Sequence, residues 1–194
     1  MQNAMKRWFR SLASIAALAA LTAWAEAPGD LLRVGQSVAD ALASAAGTPH
    51  AFVAEGLLRS PAQKDNLASA LLYPSDEVVV VALKGSQVRQ ALERAASLYP
   101  KANPSFLYLS GFEATVDPGK DPGSRVVAVQ AAGSKLEDDK TYEIAMPSSL
   151  GRGGLGYFKV WDKSKIVRTL PNVTVEDVLR GKPVGSSEPR WLER

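Results

Sequence analysis

Residues 76–99 read DEVVVVALKGSQVRQALERAASLY, and the fold is decided there. Val78 to Val81 are four β-branched residues in a row, extended by Ala82 and Leu83. A continuous apolar run of that length predicts a strand buried on both faces. Lys84-Gly85-Ser86 breaks the run. Gly85 tolerates backbone angles closed to other residues, and Ser86 reads as the N-cap of a following helix. The next apolar positions are Val88, Ala91, Leu92, Ala95, Ala96 and Tyr99, which is helical spacing. Gln87, Arg89, Gln90, Glu93 and Arg94 fall on the opposite face, with Arg89 and Glu93 four apart and able to pair. A buried strand, a tight turn and an amphipathic helix follow one another, a scaffold with no chemistry of its own.

Upstream, Asp30 to Ala46 has apolar residues at helical spacing and Gly47 as a terminator. His50 to Val53 is a short strand candidate. Glu55 to Lys64 is a loop, and Asp65-Asn66 is placed to cap a short helix through Leu72. Tyr73-Pro74-Ser75 then turns the chain into the central strand. Downstream, Phe106–Leu109 and Gly111–Val116 are strands. Arg125–Gln130 pairs back across the Gly/Pro-rich turn DPGKDPGS, giving a hairpin. Lys135–Lys140 is a polar connection and Tyr142–Ala145 another strand. Ser148–Gly156 is a Gly-rich loop, Tyr157–Trp161 follows it, and Lys165–Arg168 is a further short strand. Thr174 to Leu179 is a last helix, with Thr174 and Asp177 at capping-box spacing. Strands and helices mix without strict alternation. The expected fold class is therefore α/β (α+β mixed), one domain with a mixed sheet packed with helices.

The N-terminus reads as a targeting signal. Lys6, Arg7 and Arg10 precede the apolar run Leu12–Ala23, and Ala23-Trp24-Ala25 and Ala25-Glu26-Ala27 are both small-x-small cleavage sites. Residues 1–25 are thus expected to be a signal peptide and 28–194 the domain, with the mature chain starting at Glu26 or Pro28. A membrane anchor is the competing reading, but the run is short of the ~20 residues a spanning helix needs. The expected location is periplasmic or secreted, with no membrane association after cleavage. The formal net charge is +3, and the signal carries three of the basic residues, so the mature chain is neutral. Charge gives no reason to expect nucleic acid as a partner. The chain has no cysteine, so it holds neither a disulfide nor a lipid-bearing cysteine.

Residue types restrict the chemistry further. His50 is the only histidine, so neither a two-metal hydrolase site nor a Cys/His zinc site can be assembled. It reads as a surface or hydrogen-bonded structural histidine. A serine nucleophile would depend on that one imidazole as its base, and no G-x-S-x-G elbow is present. No catalytic residue, metal or cofactor is expected. The loop Ser148-Ser149-Leu150-Gly151-Arg152-Gly153-Gly154-Leu155-Gly156 offers backbone N–H groups, two hydroxyls and one guanidinium, a set able to cradle an anion. It lacks the Gly-Lys-Ser/Thr ending of a P-loop, and glycines of this kind more often serve close-packed turns. Among the aromatics, Tyr73 stands in a turn beside Pro74 and is the one expected to face a cleft.

The order of motifs resembles the C-terminal domain of the 5′-nucleotidases. DLLRVGQSVADAL is similar to that family's opening helix and EGLLRSP to its N-x-G-G-I-R segment. DNLASALLYPSDEVVVVALKGSQVRQALE resembles its helix, Pro-Phe-Gly turn, strand and L-x-x-x-L-E helix. FLYLSGFEATVDP resembles its F-L-Q-V-S-G strand and D-P hairpin, and KTYEIAMPSSLGRGGLGY its Y-x-V and G-G-D-G-F/Y region. The resemblance covers roughly residues 30–180. It implies a domain that binds a nucleoside while a separate metallophosphatase domain carries the metals. It also implies a base held between two aromatics, with help from arginine and asparagine. The first aromatic falls on Tyr73 and the second on Ser149, which cannot stack. The ribose-binding Asp falls on Leu155, the asparagine on Ala54, and a second arginine near Asp30. The arginine of N-x-G-G-I-R is kept as Arg59. The expected ligand-binding residues are Arg59, Tyr73, Ser149, Arg152, Gly153 and Gly154, in a degraded nucleoside site suited to a small anionic or nucleotide-like ligand. The expected function is an exported stand-alone binding module. Its alternatives are a specificity subunit for a separately encoded metallophosphatase in nucleotide catabolism, or a structural interaction module of the periplasm.

Overall fold

The structure is a computed structural model that describes residues 29–59, 62–185 and 188–194. The proposed signal peptide lies outside them. The first helix, α1 (Gly29–Ala46), follows the expected apolar stripe: Val34, Val38, Ala39 and Leu42 are fully buried. Thr48 N–H bonds to Ala43 O at 3.1 Å and Gly47 N–H to Ser44 O at 3.2 Å, closing the helix end with paired reverse bonds.

Strand β1 (His50–Ala54) is wholly buried, and β2 (Glu77–Lys84) forms from the valine run. Strands β3 (Leu107–Ser110), β4 (Phe112–Val116), β5 (Val126–Ala131), β6 (Ser134–Lys135), β7 (Thr141–Pro147), β8 (Ile166–Thr174) and β9 (Trp191–Glu193) complete two sheets. The larger has the order β3-β1-β7-β2-β8, in which only β1 and β7 run parallel. The smaller has the order β6-β5-β4-β9, with β9 parallel to β4. Val78 and Val80 enter one core with α1, while Val79, Val81 and Leu83 enter the other with the second sheet. Burying each such side chain stabilises the fold by about 1.5–3 kcal/mol, which explains why one uninterrupted valine run sits near the centre of the larger sheet.

Helix α2 (Gly85–Ala95) follows β2 without a loop and buries Val88, Ala91, Leu92 and Ala95, as its spacing requires. Its start differs from expectation. Ser86 is inside the helix, and the side chain of Gln87 accepts from Lys84 N–H at 3.2 Å. Gly85 is needed for close approach: a Cβ there would meet Glu137 O at 2.1 Å. The expected Arg89–Glu93 pair does not form. Arg89 bridges to Asp138 at 3.2 Å, and Glu93 accepts from Arg125 N–H at 3.0 Å and Val126 N–H at 2.8 Å, because the start of β5 lies within its reach.

Residues 65–72 fold as a turn and a single 3-10 turn (Leu67–Ala70), since the segment pairs with its neighbours before a helix can propagate. The expected short strand at 165–168 extends over the nine residues of β8. Helices α3 (Ser148–Gly151) and α4 (Val175–Leu179) are short. The capping box of α4 forms as read: Asp177 N–H bonds to Thr174 Oγ1 at 3.1 Å, and Thr174 N–H to Asp177 Oδ2 at 3.0 Å. His50 is not at the surface. It is 6% exposed, with its ring stacked on Phe112 at 4.2 Å.

Candidate functional site

At one end of the larger sheet β1 and β7 finish while β2 and β3 begin. The connections gathered there are residues 55–59, 71–76, 103–106 and 148–156. A 3-10 turn (Glu55–Leu57) follows β1, and Glu55 N–H bonds to Phe106 O at 2.8 Å. Arg59 N–H then bonds to Ala70 O at 2.8 Å, and Leu72 N–H to Leu57 O at 3.1 Å. This short ladder places Arg59 and Tyr73 on adjoining segments. Arg59 Nε donates to Ser69 O at 2.9 Å, and its two terminal nitrogens have no partner among the described residues. Tyr73 is 57% exposed.

The Gly-rich segment lies against the same turn through Asp76. Ser148 Oγ donates to Asp76 Oδ1 at 3.1 Å and Ser149 N–H to Asp76 Oδ2 at 3.2 Å. Arg152 N–H bonds to Ser148 O and Gly153 N–H to Leu150 O. The Arg152 guanidinium stands 3.9 Å from Glu77 in an exposed pair, worth about 0–1 kcal/mol. Several donors expected to be free for an anion are thus engaged inside the chain, two of them by a carboxylate. Ser149 Oγ is buried without a hydrogen-bond partner among the described residues. The glycines have packing reasons. Gly153 has φ +90°, and a Cβ on Gly154 would meet Ser149 O at 2.6 Å.

Beyond Gly153 a 3-10 segment (Gly154–Lys159) contains two left-handed residues, Leu155 and Gly156. Arg94 of α2 clamps it. Its Nη2 donates to Leu155 O at 2.6 Å and to Ser105 Oγ at 3.2 Å, and its guanidinium lies 5.4 Å over the Tyr157 ring. Ser105 Oγ also donates to Leu155 O at 2.9 Å, and Tyr157 OH donates to Ser105 O. Gln87, seven residues before Arg94, donates to Val160 O at 2.9 Å. The sequence reading put both side chains on the helix face opposite the apolar stripe. The overlooked signal is their separation of two helical turns, which lines up two polar residues along one edge.

Glu55 and Tyr108 were also missed. Tyr108 OH donates to Glu55 Oε2 at 3.2 Å, and burial raises the Glu55 pKa above its ordinary value. His50 starts β1, at the opposite end of the sheet, and takes no part here. Among the described residues no group of three or more His, Asp or Glu could hold a metal ion. Arg59, Tyr73 and the Ser148–Gly156 segment are therefore neighbours along the chain connections, with Asp76 and Leu57 as the links.

The chain belongs to the family of the 5′-nucleotidase C-terminal domain, whose model matches residues 15–162. It is 31% identical over 107 residues to the 5′-nucleotidase of Mus musculus, covering 51% of this chain and 18% of that protein. It is 35% identical over 83 residues to the snake venom 5′-nucleotidase of Macrovipera lebetinus, covering 39% of this chain and 20% of that one. The chain thus matches only a fifth or less of these curated relatives' length. Among solved structures, a 5′-nucleotidase precursor from Thermus thermophilus superposes with a TM-score of 0.71 at 22% identity, over 83% of this chain and 35% of that one. A sulfate thiohydrolase from the same organism, solved with glycerol, superposes with a TM-score of 0.57 at 20% identity, over 83% and 32%. Both likenesses are of fold. Among the described residues no helix is long and apolar enough to cross a membrane.

Proposed function

We propose that this chain is a non-catalytic recognition domain, exported from the cytoplasm, whose nucleoside site has been degraded and now takes a small aromatic acid or similar anion. The observation that carries the reading is the contrast at one end of the larger sheet. Arg59 and Tyr73 stand exposed on paired segments, while the adjoining Gly-rich segment turns the Ser148 hydroxyl and the Ser149 N–H onto Asp76. A guanidinium and a phenol suit a carboxylate and a ring. Ser149 offers no second face for a base, and Leu155 no acceptor for a sugar hydroxyl. Losing one stacking face costs about 1–3 kcal/mol, and unmatched polar groups cost more. Adenosine is therefore expected to bind in the millimolar range or not at all. Of the adjoining residues Ser149, Arg152, Gly153 and Gly154, the first three have backbone N–H groups already bonded within the chain. A fold shared with a sulfate thiohydrolase does not fix the ligand.

Calorimetric titration with adenosine, AMP and phosphate, run beside a hydrolysis assay with manganese, zinc or cobalt, tests the reading. Weak or absent adenosine binding and no turnover of nucleoside monophosphates are expected. Micromolar adenosine binding that Tyr73→Ala abolishes would overturn it, as would metal-dependent turnover that follows the protein through mutation. A second reading is that the domain lends specificity to a metallophosphatase in nucleotide catabolism. Its support is that the family to which the chain belongs is described as the C-terminal domain of 5′-nucleotidases. Hydrolysis that appears only when a metallophosphatase is added would support that reading over the first.

A further inference from the structure

Strands β1 and β7 begin at the end of the larger sheet remote from Arg59 and Tyr73. A cleft of about 360 Å³ opens there between the turn 47–49, the end of β5 and the start of β7. Small-molecule sites begin at about 300 Å³. The chain's one histidine lines this cleft. The His50 ring is fixed from three sides: Phe112 stacks on it, Tyr142 meets it edge-on, and its Nδ1 is buried against the Gly111 backbone. Among the described residues it bonds to no other side chain. A phenyl ring would fill the same stack without the cost of burying a polar one. The rest of the lining is small or apolar, as at Pro49 and Ala131, apart from two exposed charges, Lys140 and Glu143. Glu143 has no ion-pair partner among the described residues. Lys140 meets Glu137 at 3.6 Å in an exposed pair that exchanges readily, and its ammonium lies 5.6 Å over the Tyr142 ring. Burial lowers the His50 pKa, so near neutral pH the ring is uncharged and able both to donate and to accept.

We propose that this cleft is a second binding site that takes a small zwitterion of the free α-amino acid class, its carboxylate on Lys140, its ammonium on Glu143 and its side chain on the apolar lining. The charges decide the class. A simple anion meets the unpaired Glu143 carboxylate, and a simple cation meets the Lys140 ammonium. A zwitterion satisfies both, and the neutral ring of His50 opposes neither end. The site stands apart from Arg59 and Tyr73 and does not depend on what binds there.

With a single histidine in the chain, protein made without a histidine tag gives one set of imidazole proton resonances, which report on the cleft directly. L-Valine is titrated against them by NMR. Isovalerate, which lacks the ammonium, and isobutylamine, which lacks the carboxylate, serve as matched probes. L-Valine is expected to shift the His50 resonances saturably, and each half-ligand to bind about tenfold more weakly. Glu143→Gln and Lys140→Gln alter exposed side chains, and near-UV circular dichroism verifies their folding. Each should weaken L-valine by about tenfold. Resonances that L-valine leaves unmoved overturn the site. Isovalerate or isobutylamine binding as tightly as L-valine overturns the ligand class, as does unchanged affinity in either folded variant. If one variant fails to fold, the other and the half-ligand comparison decide.

Discussion

The imidazole of His50 lies against Phe112 with 20° between the rings, and the edge of Tyr142 approaches at 5.6 Å. Burial lowers its pKa below the ordinary 6.5, and the Lys140 ammonium acts in the same sense. The folded chain then binds a proton at His50 less readily than the unfolded chain does. Its contribution to stability is complete above pH 6.5 and is lost as the pH falls toward the folded value. Glu55 acts oppositely: its raised pKa contributes stability at low pH that is lost as the pH rises through the folded value. Urea midpoints are expected to fall between about pH 7.5 and about pH 5, and His50→Gln should flatten that slope. An equal slope in the variant would remove His50 as its source. The exposure of Tyr73 was legible, because a ring beside proline in a turn has little chain around it. The burial of His50 was not. It depends on β4 arriving from far along the chain to lay Phe112 over the ring.

Helix α2 reaches across to the second sheet through Glu93, whose carboxylate takes the first two amides around the start of β5. Arg125 returns the contact, donating to the carbonyls of Ala96, Ser97 and Tyr99 beyond the helix end. Glu93→Ala leaves those two partly buried amides without acceptors. It is expected to cost about 1–3 kcal/mol in chemical denaturation, with a fall in midpoint at unchanged slope. A loss under a few tenths of a kcal/mol would show that water replaces the carboxylate without cost. The strand, helix and hairpin that a local pattern specifies were readable: β2, α1, α2 and the β4–β5 pair fall within a few residues of expectation. The Gly-rich segment was not readable as α3 plus a 3-10 turn, because its path is set by Arg94, 61 residues away from the carbonyl it holds. Strands β6 and β9 have two and three residues and carry no period to read.

For the molecule as a whole, the expected leader and the domain make separate demands. If residues 1–25 or 1–27 are a cleaved signal, N-terminal sequencing of periplasmic or secreted material will begin at Glu26 or Pro28. Recovery of Met1 in a membrane fraction would instead identify an uncleaved anchor. The family was legible from motif order, since the scaffold motifs survive, and membership is now established over residues 15–162. The candidate site was legible only as an order of segments. Sequence could place Arg59, Tyr73 and the Gly-rich segment in order, but not the Asp76 carboxylate that takes the Ser148 hydroxyl and the Ser149 N–H.

Strand β9 lies parallel to β4, pairing Trp191 with Ala114, and the Trp191 indole donates to Leu107 O at 2.8 Å. That ring is 2% exposed, in the core that both sheets share. A chain delivered from its N-terminus, by a ribosome or through a membrane pore, therefore lacks one of its largest core side chains until residue 191 has emerged. Until then the outer edge of β4 is open, and the central hydrophobic layer has a gap the size of an indole. Complete packing of this core therefore waits until β9 has been made.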